Sequence, residues 1–177
     1  MGGFLKRVLP VPPAERPSFS NDYGVDTGTS EELLPWSYVE AQMTAARNYW
    51  VCSTRTDGRP HAMPVWGVWL DGRIYFGTSR NSVKGRNLAA NPEAVVHAES
   101  GDDVVIFEGR VVEVTATADL TAMSHAFGQK YPGYEPGSDP DTANIFYTLE
   151  PRVVFAWREK DFIHSATCWR FNRKERK

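Results

Sequence analysis

Arg73-Ile74-Tyr75-Phe76-Gly77-Thr78-Ser79-Arg80-Asn81-Ser82-Val83-Lys84-Gly85-Arg86-Asn87-Leu88-Ala89-Ala90-Asn91-Pro92 reads as a strand, a polar loop and a short helix. Its first four residues have strand character, and Val83 to Ala90 predict a helix that stops at Asn91-Pro92, where a proline cannot continue it. Ser82 stands at the N-cap position, so its hydroxyl and the free amides of the first turn would face the loop. Unpaired amides, the helix dipole and the nearby Lys84 and Arg86 together make a site for a phosphate. The competing reading makes Ser82 a cap only and the two cations solubilising groups on a surface helix; spacing alone leaves both open.

Upstream, Trp50 to Thr56, Arg59 to Leu70 and Arg73 to Thr78 are strand-like runs separated by Asp57-Gly58 and Asp71-Gly72. Asp-Gly between apolar runs signals a tight hairpin, so the three runs predict an antiparallel meander. Pro60 and Pro64 confine the middle run to an edge, a bulge or a bend. Downstream, Ala94 to Glu99 and Val104 to Thr115 form a further hairpin around Ser100-Gly101-Asp102-Asp103. Thr117 to Lys130 has helical composition and ends near Tyr131-Pro132, before a Pro- and Gly-rich loop over 132–142. Arg152 to Arg158 and Ser165 to Phe171 read as closing strands joined around Glu159-Lys160-Asp161. Six or seven antiparallel strands with two or three peripheral helices predict a mainly β (α+β) fold. Closure into a small barrel would remove exposed edges, and an open sandwich is the alternative.

Residues 1–30 carry Pro10, Pro12, Pro13 and Pro17 and predict an extended arm, packed through Phe19, Tyr23 and Val25 on the body or on a second subunit. Residues 31–177 predict a single domain. Ser30-Glu31-Glu32 leads into a helix with Pro35 near its start, and Trp36, Val39, Met43, Ala46 and Trp50 recur at helical spacing as one apolar face.

With 177 residues, 41% apolar, 24% charged and a formal charge of -2, the chain has no global field favouring nucleic acid or an anionic membrane. The basic run Arg170, Arg173, Lys174, Arg176, Lys177 reads as a solvated tail. No apolar run approaches ~18 residues, so no membrane span or signal peptide is expected. Lys6 occupies the place where a myristoylation signal wants Ser or Thr. Cys52 and Cys168 show neither a CxxC nor a zinc-like spacing; no metal site is expected, and a reducing cytoplasm fits. HExxH and GxSxG motifs are both missing, so metal-assisted or triad hydrolysis has no sequence support.

Tyr49-Trp50, Asp57-Gly58-Arg59-Pro60-His61, Pro64-Val65-Trp66, Asp71-Gly72, Tyr75-Phe76, Thr78, Ser82, Lys84, Arg86-Asn87-Leu88, Asn91-Pro92 and Trp157 form an ordered series. In this order they resemble the pyridoxamine 5'-phosphate oxidase-like split-barrel superfamily, and within it the flavin and deazaflavin oxidoreductases. The resemblance covers roughly residues 34–171. It implies a six-stranded split β-barrel that forms a homodimer, with a flavin-type cofactor in the groove between subunits. It further implies that Thr78, Ser82 and Lys84 hold the cofactor phosphate, with Ser79, Arg80 and Asn87 beside them. On the same basis His61, Pro64, Val65 and Trp66 line the ring, and Trp157 joins the cofactor site. FMN-using oxidases of the superfamily carry an arginine on the second strand where Met63 stands here, and the arginine-rich C-terminal motif for vitamin B6 is not recognisable at Ala166 to Phe171. The run from Lys84 to Pro92 looks more like the F420-using branch.

The cofactor expected first is therefore F420, with FMN second, and the substrate a small conjugated or quinone-like molecule. No side chain is assigned as catalytic acid or base, because such a cofactor performs the hydride step itself. His61 could take a polar role beside the ring or be an ordinary strand histidine; His97 reads as a core or interface residue. Trp66 and Trp69 could stack on a ring or simply fill the barrel. The alternative function is a non-catalytic F420 or flavin carrier, or a haem-binding split barrel.

Overall fold

A computed structural model describes residues 9–25, 32–134 and 144–171. Ser30 and Glu31 of the helix lead, most of the loop over 132–142 and the basic residues beyond Phe171 lie outside these. Among the described residues seven strands and four α-helices follow in order: α1 Trp36–Ala45, β1 Asn48–Thr54, β2 Pro60–Leu70, β3 Arg73–Ser79, α2 Val83–Ala90, β4 Glu93–Ala98, β5 Asp103–Glu113, α3 Thr117–Lys130, β6 Asn144–Arg158, α4 Phe162–Ser165 and β7 Thr167–Arg170. Every strand pairing is antiparallel, in the order β3-β2-β1-β4-β5-β6-β7, and β3 also pairs with β6. That last pairing closes six strands into a barrel and leaves β7 outside, on the flank of β6. The split barrel is thus present, and the open sandwich is not.

Hairpin chemistry sets the local turns. Asp71 and Gly72 both have positive φ, 51° and 77°, as a two-residue connection that follows the strand twist requires. Between β1 and β2, the Arg55 N–H donates to Arg59 O at 2.9 Å across Asp57-Gly58. β2 pairs with β1 over Pro60 to Trp66 and with β3 only over Gly67 to Leu70. Pro60 and Pro64 therefore fall in the half of β2 that has a neighbour on one side only, where a missing donor is tolerated.

Alternation along the strands sends Tyr49, Val51, Val65, Ile74, Phe76, Val96, Val105, Phe107 and Val154 into one core. α1 adds Val39 and Met43, both fully buried, and α2 adds Leu88. On the outside of β2 and β3, α3 covers Val68 and Tyr75 with Met123, Phe127 and Tyr131.

Three expectations need correction. Trp50 is not on the α1 face: the helix ends at Ala45, the period changes to two at Asn48, and Trp50 points outward from β1 opposite Pro64 and His97. β6 begins at Asn144, eight residues before Arg152, because its first half is needed to close the barrel against β3. The last strand begins at Thr167, since Phe162–Ser165 form α4. In the arm, Glu15 bridges Cys168 of β7, and Phe19 packs among Phe155, Trp157 and Phe162. Among the described residues no helix is long and apolar enough to cross a membrane.

Candidate functional site

The β3–α2 corner is built as its sequence requires. Ser82 has extended backbone and its Oγ accepts the Gly85 N–H at 2.9 Å, the bond of an N-cap to the third helical residue. Ser82 Oγ also donates to Ser79 O at 2.8 Å and lies 2.9 Å from Thr78 Oγ1. Asn81 N–H donates to Ser79 Oγ at 3.2 Å, and Arg86 N–H to Ser82 O at 3.0 Å. These bonds leave the amides of Val83 and Lys84 without a partner among the described residues. Gly85 allows this compact corner: a Cβ there would sit 2.2 Å from Ser79 O, well inside any tolerable contact.

Lys84 is 8% exposed, and its side chain has no hydrogen bond or ion pair among the described residues. Burial pushes its ammonium down to about 8. An unpaired cation is costly to bury, and this one stands one residue inside a helix N-terminus that already presents two free amides. Positive charge and amide donors stand together at this N-terminus, an arrangement that suits an anion.

His61 extends the polar site along β2. Its Nδ1 is buried and without a hydrogen-bond partner among the described residues. Its pKa is lowered by desolvation, then by the positive charges of Arg55 and Lys84, so the neutral imidazole is favoured. Val65 lies in the barrel core and cannot face a ligand outside it. Pro64 and Trp66 are exposed on the opposite face of β2, where the Trp66 ring stacks on Tyr131 with centroids 4.5 Å apart.

Of the remaining expected site residues, Arg80 pairs with Glu113. Asn87 is buried and its Nδ2 donates to Ser53 Oγ at 3.1 Å, tying α2 to β1. Trp157 stands near the far end of β6, opposite Val104, whereas the corner meets that strand at its start through Ser79 and Asn144. Its ring packs edge-on to Phe162, centroids 5.7 Å apart. Within one chain the structure therefore gathers Thr78, Ser79, Ser82, Lys84 and His61, and leaves Trp157 apart. Sequence reasoning missed Arg55 and Ser53; the inward alternation of Tyr49, Val51 and Ser53 was the available signal for the latter.

With this geometry in place, a family model described as pyridoxamine 5'-phosphate oxidase matches residues 38–158, well over half of the chain. The chain belongs to the pyridoxamine 5'-phosphate oxidase family. No curated protein sequence matches it. Among solved structures, the conserved hypothetical protein Rv2991 of Mycobacterium tuberculosis is similar with a TM-score of 0.63 at 21% identity, over 73% of this chain and 88% of that one. An F420 reductase superposes with a TM-score of 0.52 at 20% identity, over 68% and 98% of the two chains. HutZ, the haem storage protein of Vibrio cholerae, gives 0.58 at 14% identity, over 68% and 92%. These likenesses are of fold. The family includes oxidoreductases, and its fold is shared with haem-binding proteins.

Proposed function

We propose that this member of the family is an oxidoreductase that binds deazaflavin F420, with FMN as second candidate, through the cofactor phosphate at the β3–α2 corner. It passes hydride to a small conjugated or quinone-like substrate. The observation that carries this reading is the largely buried Lys84 side chain, whose ammonium has no partner among the described residues, beside the amides of Val83 and Lys84, which have none there either. That donor set fits a phosphate: it supplies charge, directed N–H groups and a helix N-terminus at one point.

The ring system of such a cofactor supplies the hydride chemistry. The chain's own part is to bind and position. Lys84 Nζ and the two amides would hold the phosphate, with the Thr78 hydroxyl at its side. His61, whose neutral imidazole is favoured, stands along β2, and Arg55 adds positive charge. β2 carries no lysine or arginine between Pro60 and Leu70, which together with Met63 supports F420 over FMN as the resemblance orders them. Exposed Trp50 and Trp66, 36% and 46% accessible on one face of β1 and β2, support self-association through this face into a homodimer.

Fluorescence titration of the purified protein with F420 and with FMN tests the reading. Binding of F420 is expected, weakened by about 1 to 3 kcal/mol in Lys84→Ala, the range for loss of a charge-assisted contact. Absence of binding by either cofactor at tens of micromolar would remove it.

A haem-binding or carrier role is the second reading. It draws on His97, whose ring is near-parallel to Trp50 at 6.4 Å and whose Nδ1 bonds Ala98 O, leaving Nε2 for a ligand. A Soret band on haem addition that is lost in His97→Ala would favour haem. Bound F420 that no acceptor reoxidises would favour a carrier.

A further inference from the structure

Away from the corner, the arm roofs a cavity of about 670 Å³ against the start of β3, the middle of β6 and the end of β7. We propose that this cavity is a second ligand site, which takes a short apolar peptide with both termini free.

Its size falls within the roughly 300 to 1,000 Å³ of small-molecule sites. Leu9, Val11 and Pro12 of the arm face Pro151 and Phe171 of the body across it. The arm is fastened at this point. Glu15 and Cys168 exchange two backbone hydrogen bonds of 2.9 and 2.8 Å, and the Glu15 carboxylate accepts from Arg170 Nε at 2.7 Å. Prolines fix the backbone of the roof in advance, so little ordering cost remains for a ligand to bear.

The charges select the ligand. Arg170 is paired with Glu15, but the other two charged residues of the wall, Arg73 and Glu150, form no ion pair or side-chain hydrogen bond among the described residues, with each other or with any neighbour. One guanidinium and one exposed carboxylate, unpaired among the described residues, beside the apolar side chains of Leu9, Val11, Pro151 and Phe171 are matched by one carboxylate, one ammonium and an apolar body. A fatty acid or a phosphate would satisfy Arg73 and leave Glu150 repelling it. Arg73 and Ser79 begin and end β3, so the cavity and the corner are about 20 Å apart at ~3.3 Å per residue. The two sites are distinct.

Backbone amide shifts of the isotope-labelled full-length protein, titrated with leucyl-phenylalanine, its C-terminal amide and its N-acetyl form, decide the matter. The free dipeptide is expected to move the amides of Leu9, Val11, Glu15, Arg73, Glu150, Arg170 and Phe171 while residues 78–86 stay still. Each capped form should bind about tenfold more weakly, the factor for one lost contact of ~1.4 kcal/mol. Arg73→Gln should erase the preference for the acid over the amide, and Glu150→Gln the preference for the free amine over the acetylated one. Shifts missing at millimolar dipeptide, shifts centred on residues 78–86, or equal affinity for all three compounds on the unmutated protein would each overturn the proposal.

Discussion

Replacing Lys84 by methionine should stabilise the cofactor-free protein while impairing it as a binder. The ammonium is held at about 8, down from 10.5, by desolvation alone. The fall corresponds to at most about 3 kcal/mol of destabilisation at ~1.36 kcal/mol per pH unit. The unfolded chain binds the Lys84 proton more tightly, so the penalty is fully present below pH 8. It is relieved as pH rises from about 8 to 10.5, where the unfolded state holds more protons and stability climbs. Methionine keeps the unbranched shape and removes the charge, so Lys84→Met should gain about 1 to 3 kcal/mol at pH 7, as substitution of buried ionic groups by apolar ones can. Urea denaturation of both proteins at pH 7 and near pH 10 provides the assay. The gain should shrink at the higher pH, and Lys130, also held down to about 8, is common to both proteins and cancels in the difference. A less stable Lys84→Met, or a difference that does not change with pH, would show that the ammonium has a partner of its own and would refute the anion-site argument.

Gly85→Ala should cost about 1 to 3 kcal/mol, the range for overpacking, because the new Cβ would meet Ser79 O at 2.2 Å; wild-type stability in denaturant would mean the corner can open freely. Asn87→Ala should lose about 1 to 3 kcal/mol by stranding Ser53 Oγ, and adding Ser53→Ala should recover part of it in a double-mutant cycle; full additivity would show that the two side chains are not coupled. Tyr131→Phe removes the hydroxyl that accepts the Gly67 N–H at 3.1 Å and donates to Arg47 O at 2.5 Å. A loss of about 1 to 3 kcal/mol is expected, and an unchanged midpoint would deny that this bond anchors α3 to the barrel. Phe19→Ala should redshift Trp157 emission by uncovering its ring, which Phe19 meets edge-on at 6.4 Å; an unaltered spectrum would mean the arm does not shield it.

The elements legible in the sequence are those whose ends carry their own chemistry. α2 begins and ends at Val83 and Ala90 as expected because Ser82 caps one end and Asn91-Pro92 stops the other, and both Asp-Gly hairpins follow from the positive φ that glycine allows. The first half of β6 is not legible, since it is a strand through nonlocal partners, the end of β5 on one side and β3, some 70 residues earlier in the chain, on the other. Trp50 misled for a related cause: a residue four positions after Ala46 continues a helical stripe only if the helix continues, and nothing in the stripe marks where α1 ends. At the candidate site the sequence located the donors but not which of them are already occupied. Ser82, Arg80 and Asn87 bond within the fold, whereas Lys84, a cation beside a loop in the sequence, is largely buried and has no partner among the described residues. Charge and capping can point to an anion site, but only the fold shows that Lys84 has a charge to share.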